Sequence, residues 1–161
     1  MKKILLGLIL ILATAFDISA QTTNISISGD GITLLTFTKG MFADMKQVVI
    51  MAKGHDEKVH RYSGVTLADI LAKAGVMLGD SAKRKTILSY VVITAADNYK
   101  AIYTLPEIDP LFANRSIILA SRADKKPLST EDGPFQIIVP GERKHARWVR
   151  QVTGIQVVTV K

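Results

Sequence analysis

The chain has 161 residues, a formal net charge of +7, 48% hydrophobic and 6% aromatic residues, and no cysteine. The missing cysteine excludes disulfides, thiolate metal sites, cysteine nucleophiles and thiol redox chemistry together. Without a platform of clustered aromatics for stacking, nucleic acid is not an expected partner, and the positive charge speaks to solubility, acidic surfaces or small anions.

Lys2 and Lys3 precede an apolar run from Ile4 to Ala13 and a short tail ending Ser19-Ala20 before Gln21. This is the layout of a secretory signal peptide, residues 1–20, cleaved after Ala20. The run falls short of the roughly 20 apolar residues that a membrane span needs, and no later stretch comes closer. The expectation is an exported chain, periplasmic or secreted, whose residues 21–161 form one domain.

Asn24 to Ser28 alternates polar and apolar residues, Gly29-Asp30-Gly31 breaks the pattern, and Ile32 to Phe37 resumes it, which predicts a hairpin. Thr38 opens a short helical segment, Lys39 to Met45, with Met41, Phe42 and Met45 at helical spacing. Gln47 to Ala52 and Val59 to Tyr62 read as a second hairpin around the polar loop Lys53 to Lys58. The clearest helix is Thr66 to Ala74: Thr66 can cap it, Leu67, Ile70, Leu71 and Ala74 share a face, and Gly75 can stop it. Asp69, inside this helix, reads as structural rather than as an acid catalyst.

Asp80 to Lys85 reads as a solvated charged connector, and Ile87 to Ala95 as a central strand. A turn at Ala96 to Lys100 and a returning strand Ala101 to Leu105 follow. Pro106 and Pro110 limit any helix beside them to about one turn. Ser116 to Ser121, Phe135 to Val139 and Ile155 to Val160 read as the remaining strands, with a turn at Ala123 to Ser129. The fold class is α+β in a single domain, with mixed β-sheets and few short helices.

After the Phe135–Val139 strand, Arg143, Lys144, His145, Arg147 and Arg150 surround the only tryptophan, Trp148. The run is either a solvated surface or a site for an anion, with Trp148 itself in the core. A spacing of three would place Arg147 and Arg150 on one helical face, and as exposed arginines both are expected to be dispensable for folding. His55, Asp56 and His60 offer imidazole and carboxylate, but no further ligand follows at a standard spacing, so no metal site is expected. Nucleophile-elbow and Walker-type sequences are absent, and no catalytic residue stands out.

Three segments in register resemble one known family: "HRYSGVTLADILAKAG" from His60, "VVITAADNYKAIYTLPEI" from Val91, and "ILASRADKKPLSTEDGPFQIIVPGERKHARWVRQVTGIQV" from Ile118. Together they resemble the oxidoreductase molybdopterin-binding domain, of sulfite-oxidase-type fold, with Asn98 where glycine is usual. The resemblance covers nearly all of residues 21–161 and brings in molybdopterin as the candidate cofactor. It implies that the loop after Val139-Pro140-Gly141 lines the cofactor's phosphate end. Arg147 and Arg150 are then cofactor-binding residues, with Lys144 and His145 as neighbours and His60 at the border of the same cleft. In catalytic members a cysteine ligates molybdenum after the strand preceding the helix signature. Met51, Ala52 and Lys53 occupy that region here, and a neutral thioether is a weak donor for a high-valent oxo-metal centre. Two readings follow. One is an exported non-catalytic domain that binds a pterin-like or other small anionic ligand, or a partner protein. The other is a sulfite-oxidase-type molybdenum oxidoreductase with atypical ligation.

Overall fold

The first hairpin forms where the alternation predicts it. Strand β1 (Ile25–Gly29) buries Ile25 and Ile27, and β2 (Leu35–Phe37) returns with Phe37 opposite Ile25. The structure is a computed structural model that describes residues 24–161 except Gly31 and Ala82. The predicted signal peptide lies outside the described residues. Helix α1 (Lys39–Asp44) starts at Thr38, whose hydroxyl accepts from the Met41 amide at 3.2 Å, and it buries Phe42.

Strands β3 (Val48–Lys53) and β4 (Val59–Thr66) form the second hairpin. Helix α2 (Leu67–Lys73) follows directly, burying Leu67, Ile70 and Leu71. The Thr66 hydroxyl accepts from the Asp69 amide at 3.0 Å and donates to the Asp69 carboxylate at 2.6 Å, so Asp69 locks the helix start. Gly75 adopts φ +90°, the left-handed stop that glycine permits.

The next segment departs from the reading. Lys83–Ile87 form helix α3 instead of a connector running into a strand, and β5 starts at Ser89 and ends at Ala95. Ile87 is 61% exposed while Thr86 is buried, so the apolar run is continuous along the chain but not on one face. Strand β6 (Lys100–Thr104) leads into α4 (Leu105–Ile108), where Thr104 and Glu107 make a reciprocal capping box. The remaining strands are β7 (Ile118–Ala123), β8 (Lys126–Pro127), β9 (Gln136–Ile138) and β10 (Val152–Thr159). β7 starts two residues later than Ser116, and β10 three earlier than Ile155.

One sheet has the order β2-β1-β10-β5-β6, with β1 and β10 parallel; the other runs β3-β4-β7-β8, with β9 also paired to β7. Side chains of both sheets and of α2 meet in one core that includes Ile27, Ile93, Tyr103, Leu71, Leu119 and Ile137. This is the α+β arrangement that the sequence predicts. Among the described residues, no helix is long and apolar enough to cross a membrane.

The second sheet depends on one close approach. Between Ser63 and Gly64 the β4–β7 register shifts, and a Cβ placed on Gly64 would lie 2.0 Å from the Leu119 carbonyl oxygen. Since that neighbour is strand backbone, relief requires moving β4 away from β7. Gly64→Ala is expected to destabilise the domain by at least about 2–3 kcal/mol. Chemical denaturation followed by circular dichroism measures this, and a change under about 0.5 kcal/mol would contradict the packing described.

Candidate functional site

After β9 the chain makes a loop that is mostly irregular, because Pro140 and Gly141 (φ +80°) interrupt extended structure. Its one regular piece is a 3-10 turn, His145–Arg147. Trp148 is 4% exposed, and its indole N–H donates to the Val139 carbonyl at 3.1 Å, closing the base of the loop. Tryptophan is therefore core, as read, and it also presents an edge to the cavity described below.

The two arginines part company here. No helix spans positions 147 to 150, since the turn ends at Trp148, so the shared helical face does not exist. Arg147 turns inward: Nε donates to Glu142 at 2.8 Å, and Nη1 and Nη2 donate to the two Glu107 oxygens at 2.9 and 3.1 Å. Nη1 also reaches the Ile102 carbonyl at 3.2 Å, and Nη2 contacts Glu142. The guanidinium carbon lies 5.0 Å from the centre of the Tyr103 ring, whose hydroxyl donates to the Arg147 carbonyl. The Glu107 hydrogen bond is the main reason the guanidinium pKa is driven further up. Burial pushes the Glu107 carboxyl up, but hydrogen bonds from Arg147 and the Thr104 amide outweigh it and leave its pKa lowered. Arg115 adds a contact to Glu107 at 2.9 Å. The fork that was expected to hold an anion is thus filled by the protein's own carboxylates.

Arg150 faces a different place. Together with His55, His60, Tyr62 and Trp148 it lines a cavity of about 350 Å³ at the turn end of the β3–β4 hairpin. Trp148 is the hub of an edge-on cluster, with ring centroids at 4.3 Å from His145, 5.6 Å from Tyr62 and 6.4 Å from His55. Burial, then the neighbouring His145 and Arg150, lower the His55 pKa, so near neutral pH it is an uncharged imidazole with one donor and one acceptor. Opposite it, His60 is clamped by Asp124 at 2.6 Å and Asp56 at 2.9 Å, and these hydrogen bonds raise its pKa and favour the imidazolium. Arg150 pairs with Asp132 at 3.0 Å, with side chains 45% and 33% exposed. Such a pair contributes little to stability, so little free energy holds Arg150 on Asp132.

The structure therefore brings His60 and Arg150 to one cavity, with His145 behind its Trp148 wall. It leaves Arg147 half-buried among its own carboxylate partners, and Lys144 exposed and apart from the cavity lining. Gly54 was missed: a Cβ there would meet His60 Cδ2 at 2.9 Å and the Tyr62 hydroxyl at 3.2 Å, so glycine keeps the floor open. In the sequence it signals only a turn.

Among the described residues no group of three or more histidine, aspartate or glutamate side chains is placed to hold an ion. Met51 is 60% exposed on the outer face of β3, Ala52 is in the core, and Lys53 pairs with Glu57. The anionic sulfur that a molybdenum centre wants is absent from the chain, so its residues do not fit the metal end of the cofactor.

The family model of the oxidoreductase molybdopterin binding domain matches residues 21–161. Among solved structures, the sulfane dehydrogenase SoxCD from Paracoccus pantotrophus is similar, with 19% sequence identity and a TM-score of 0.68 over 89% of this chain. The match spans 40% of that protein's chain, and at this identity it speaks to the fold alone. No curated protein matches.

The different surroundings of the two arginines carry a test. Arg147→Ala leaves two carboxylates short of their partner and is expected to cost about 1–3 kcal/mol. Arg150→Ala breaks only an exposed pair and is expected to stay within about 0.5 kcal/mol. Equal effects in urea denaturation would contradict the assignment.

Proposed function

Because this chain belongs to the oxidoreductase molybdopterin-binding domain family, we propose that it is an exported member that binds a flat anionic heterocycle of the pterin class beside His55, Trp148 and Arg150, without molybdenum redox chemistry. The observation that carries this reading is the pairing of an aromatic and imidazole wall with an exchangeable guanidinium in one cavity of about 350 Å³. That volume lies within the range of small-ligand sites, about 300–1,000 Å³.

Each residue has a distinct task in this reading. Arg150 releases Asp132 and takes a phosphate oxygen pair with its planar fork. Neutral His55 offers one donor and one acceptor to ring heteroatoms. Trp148 and Tyr62 provide apolar surface that excludes water from one side of the ligand. Asp56 and Asp124 hold His60 in place, and its imidazolium offsets one of their two negative charges. The family's oxidoreductase chemistry is set aside because no thiolate is present, whereas a molybdenum enzyme with atypical ligation draws its support from the family match over residues 21–161.

Thermal-shift measurements with pterin phosphates, nucleotides and inorganic phosphate distinguish the outcomes. A pterin phosphate at 100 times its Kd adds about 2.7 kcal/mol of apparent stability. It is expected to raise the wild-type midpoint by several degrees and to leave that of Arg150→Ala unmoved. Protein from molybdate-supplied cells is expected to hold far less than one molybdenum per chain. Near-stoichiometric metal would establish the oxidoreductase reading instead, and no shift with any ligand would favour a partner protein.

Export rests on Lys2, Lys3, the apolar Ile4 to Ala13 run and the Ser19-Ala20 tail. Mass spectrometry of the periplasmic protein is expected to find Gln21 as the first residue. An intact Met1 on cytoplasmic protein would contradict it.

A further inference from the structure

A second concavity of about 960 Å³ opens between α1, the strands β7 and β8 and the segment from Ser129 to Phe135. Its floor is the Phe42–Phe135 pair, with ring centroids 4.8 Å apart and planes tilted by 53°. Pro127, Leu128 and Pro134 continue the apolar lining. Ser63, Ser121 and Gln47 add polar groups at its edge.

The charges on this wall are of one sign. Lys39 and Arg122 line it, and no aspartate or glutamate does. Neither cation makes an ion pair among the described residues, although Arg147, Arg150, Arg115 and Lys53 all do. The His55–Arg150 cavity shares Pro127, Leu128 and Ser129 with this one but carries three aspartates in its own wall. In one cavity the cations are paired with carboxylates and in the other they are not, and the two suit different ligands.

We infer that this second cavity binds a small organic anion with an apolar body: a carboxylate on an aromatic or medium-chain acyl skeleton. The carboxylate lies with Lys39 and Arg122, and the body lies over Phe42, Phe135 and Leu128. Burial of the body supplies affinity, and the two cations select the charged head over a neutral analogue of the same shape. This inference is independent of pterin binding.

The test uses the full chain with 2-naphthoate and decanoate as probes, followed by calorimetry and by amide chemical shifts. Saturable binding with Kd at or below about 1 mM is expected. The largest shifts are expected at Gly40, Phe42 and Phe135, which line this cavity alone. Lys39→Glu and Arg122→Glu are each expected to weaken 2-naphthoate at least about tenfold, and neutral 2-naphthylmethanol is expected to bind more weakly than the acid. Should a charge-reversal variant fail to fold, Ala43→Trp on the exposed side of α1 serves as a second variant, filling the cavity and abolishing binding. The inference is overturned by any of three results: no saturable shift at those amides, equal binding of the neutral analogue, or binding unchanged in the variants. It is also overturned if wild type sediments as a dimer that Arg122→Glu returns to monomer, since a second copy is then the occupant.

Discussion

Arg147 reaches into the protein, and the loop between β9 and β10 depends on where it goes. Thirteen residues from Val139 to Gln151 contain only one 3-10 turn, so backbone periodicity does little to hold them. Their shape comes instead from the Arg147 contacts to Glu107, Glu142 and the Ile102 carbonyl, and from the Trp148 indole bond to Val139. Backbone bonds from the Ile137 amide to Val149 and from the Val152 amide to Phe135, at 2.9 and 3.1 Å, complete the closure. The edge of the first sheet is thereby tied to the loop that builds the cavity wall. One oxygen of Glu142 is buried without a partner, which makes the charged network costly to leave half-made.

Holding Arg147 inside divides the basic run into two roles. Arg147 is structural because its donors are satisfied by carboxylates that arrive from α4 and from the loop itself. Arg150, three residues on, is left at a rim where its partner Asp132 is one-third exposed. The cavity at that rim inherits a wall of Trp148, Tyr62 and His55, and Gly54 supplies the room. Around His60 one imidazolium faces two carboxylates, while Arg150 is matched by Asp132 alone, so the cation an incoming anion can recruit is Arg150. On the other side of Pro127 and Leu128 the balance is reversed, because Lys39 and Arg122 meet no acid.

Elements whose signals are local were legible in the sequence. Thr66, Asp69, Leu67, Ile70, Leu71 and Gly75 fall within ten residues and together set where α2 starts, which face it buries and where it stops. Both hairpins were legible for the same reason. The α3–β5 boundary was not, since Ile87 and Leu88 are apolar yet exposed, and only the packing of Thr86 and Ser89 reveals the break. The site was legible in composition more than in geometry. The lack of a thiolate can be read directly, but one partner of Arg147 lies 40 residues away at Glu107, and one of His60 lies 64 residues away at Asp124. No local spacing rule could separate the half-buried Arg147 from the more exposed Arg150.

The division between Arg147 and Arg150 is the claim on which the rest turns, and side-chain NMR addresses it directly. Arginine Nε–Hε correlations recorded while a pterin phosphate is added report which guanidinium meets the ligand. The Arg150 resonance is expected to move in proportion to occupancy. The Arg147 resonance should exchange slowly with solvent and stay where it is, held by Glu142 and Glu107. An Arg147 resonance that exchanges freely or follows the ligand would contradict it.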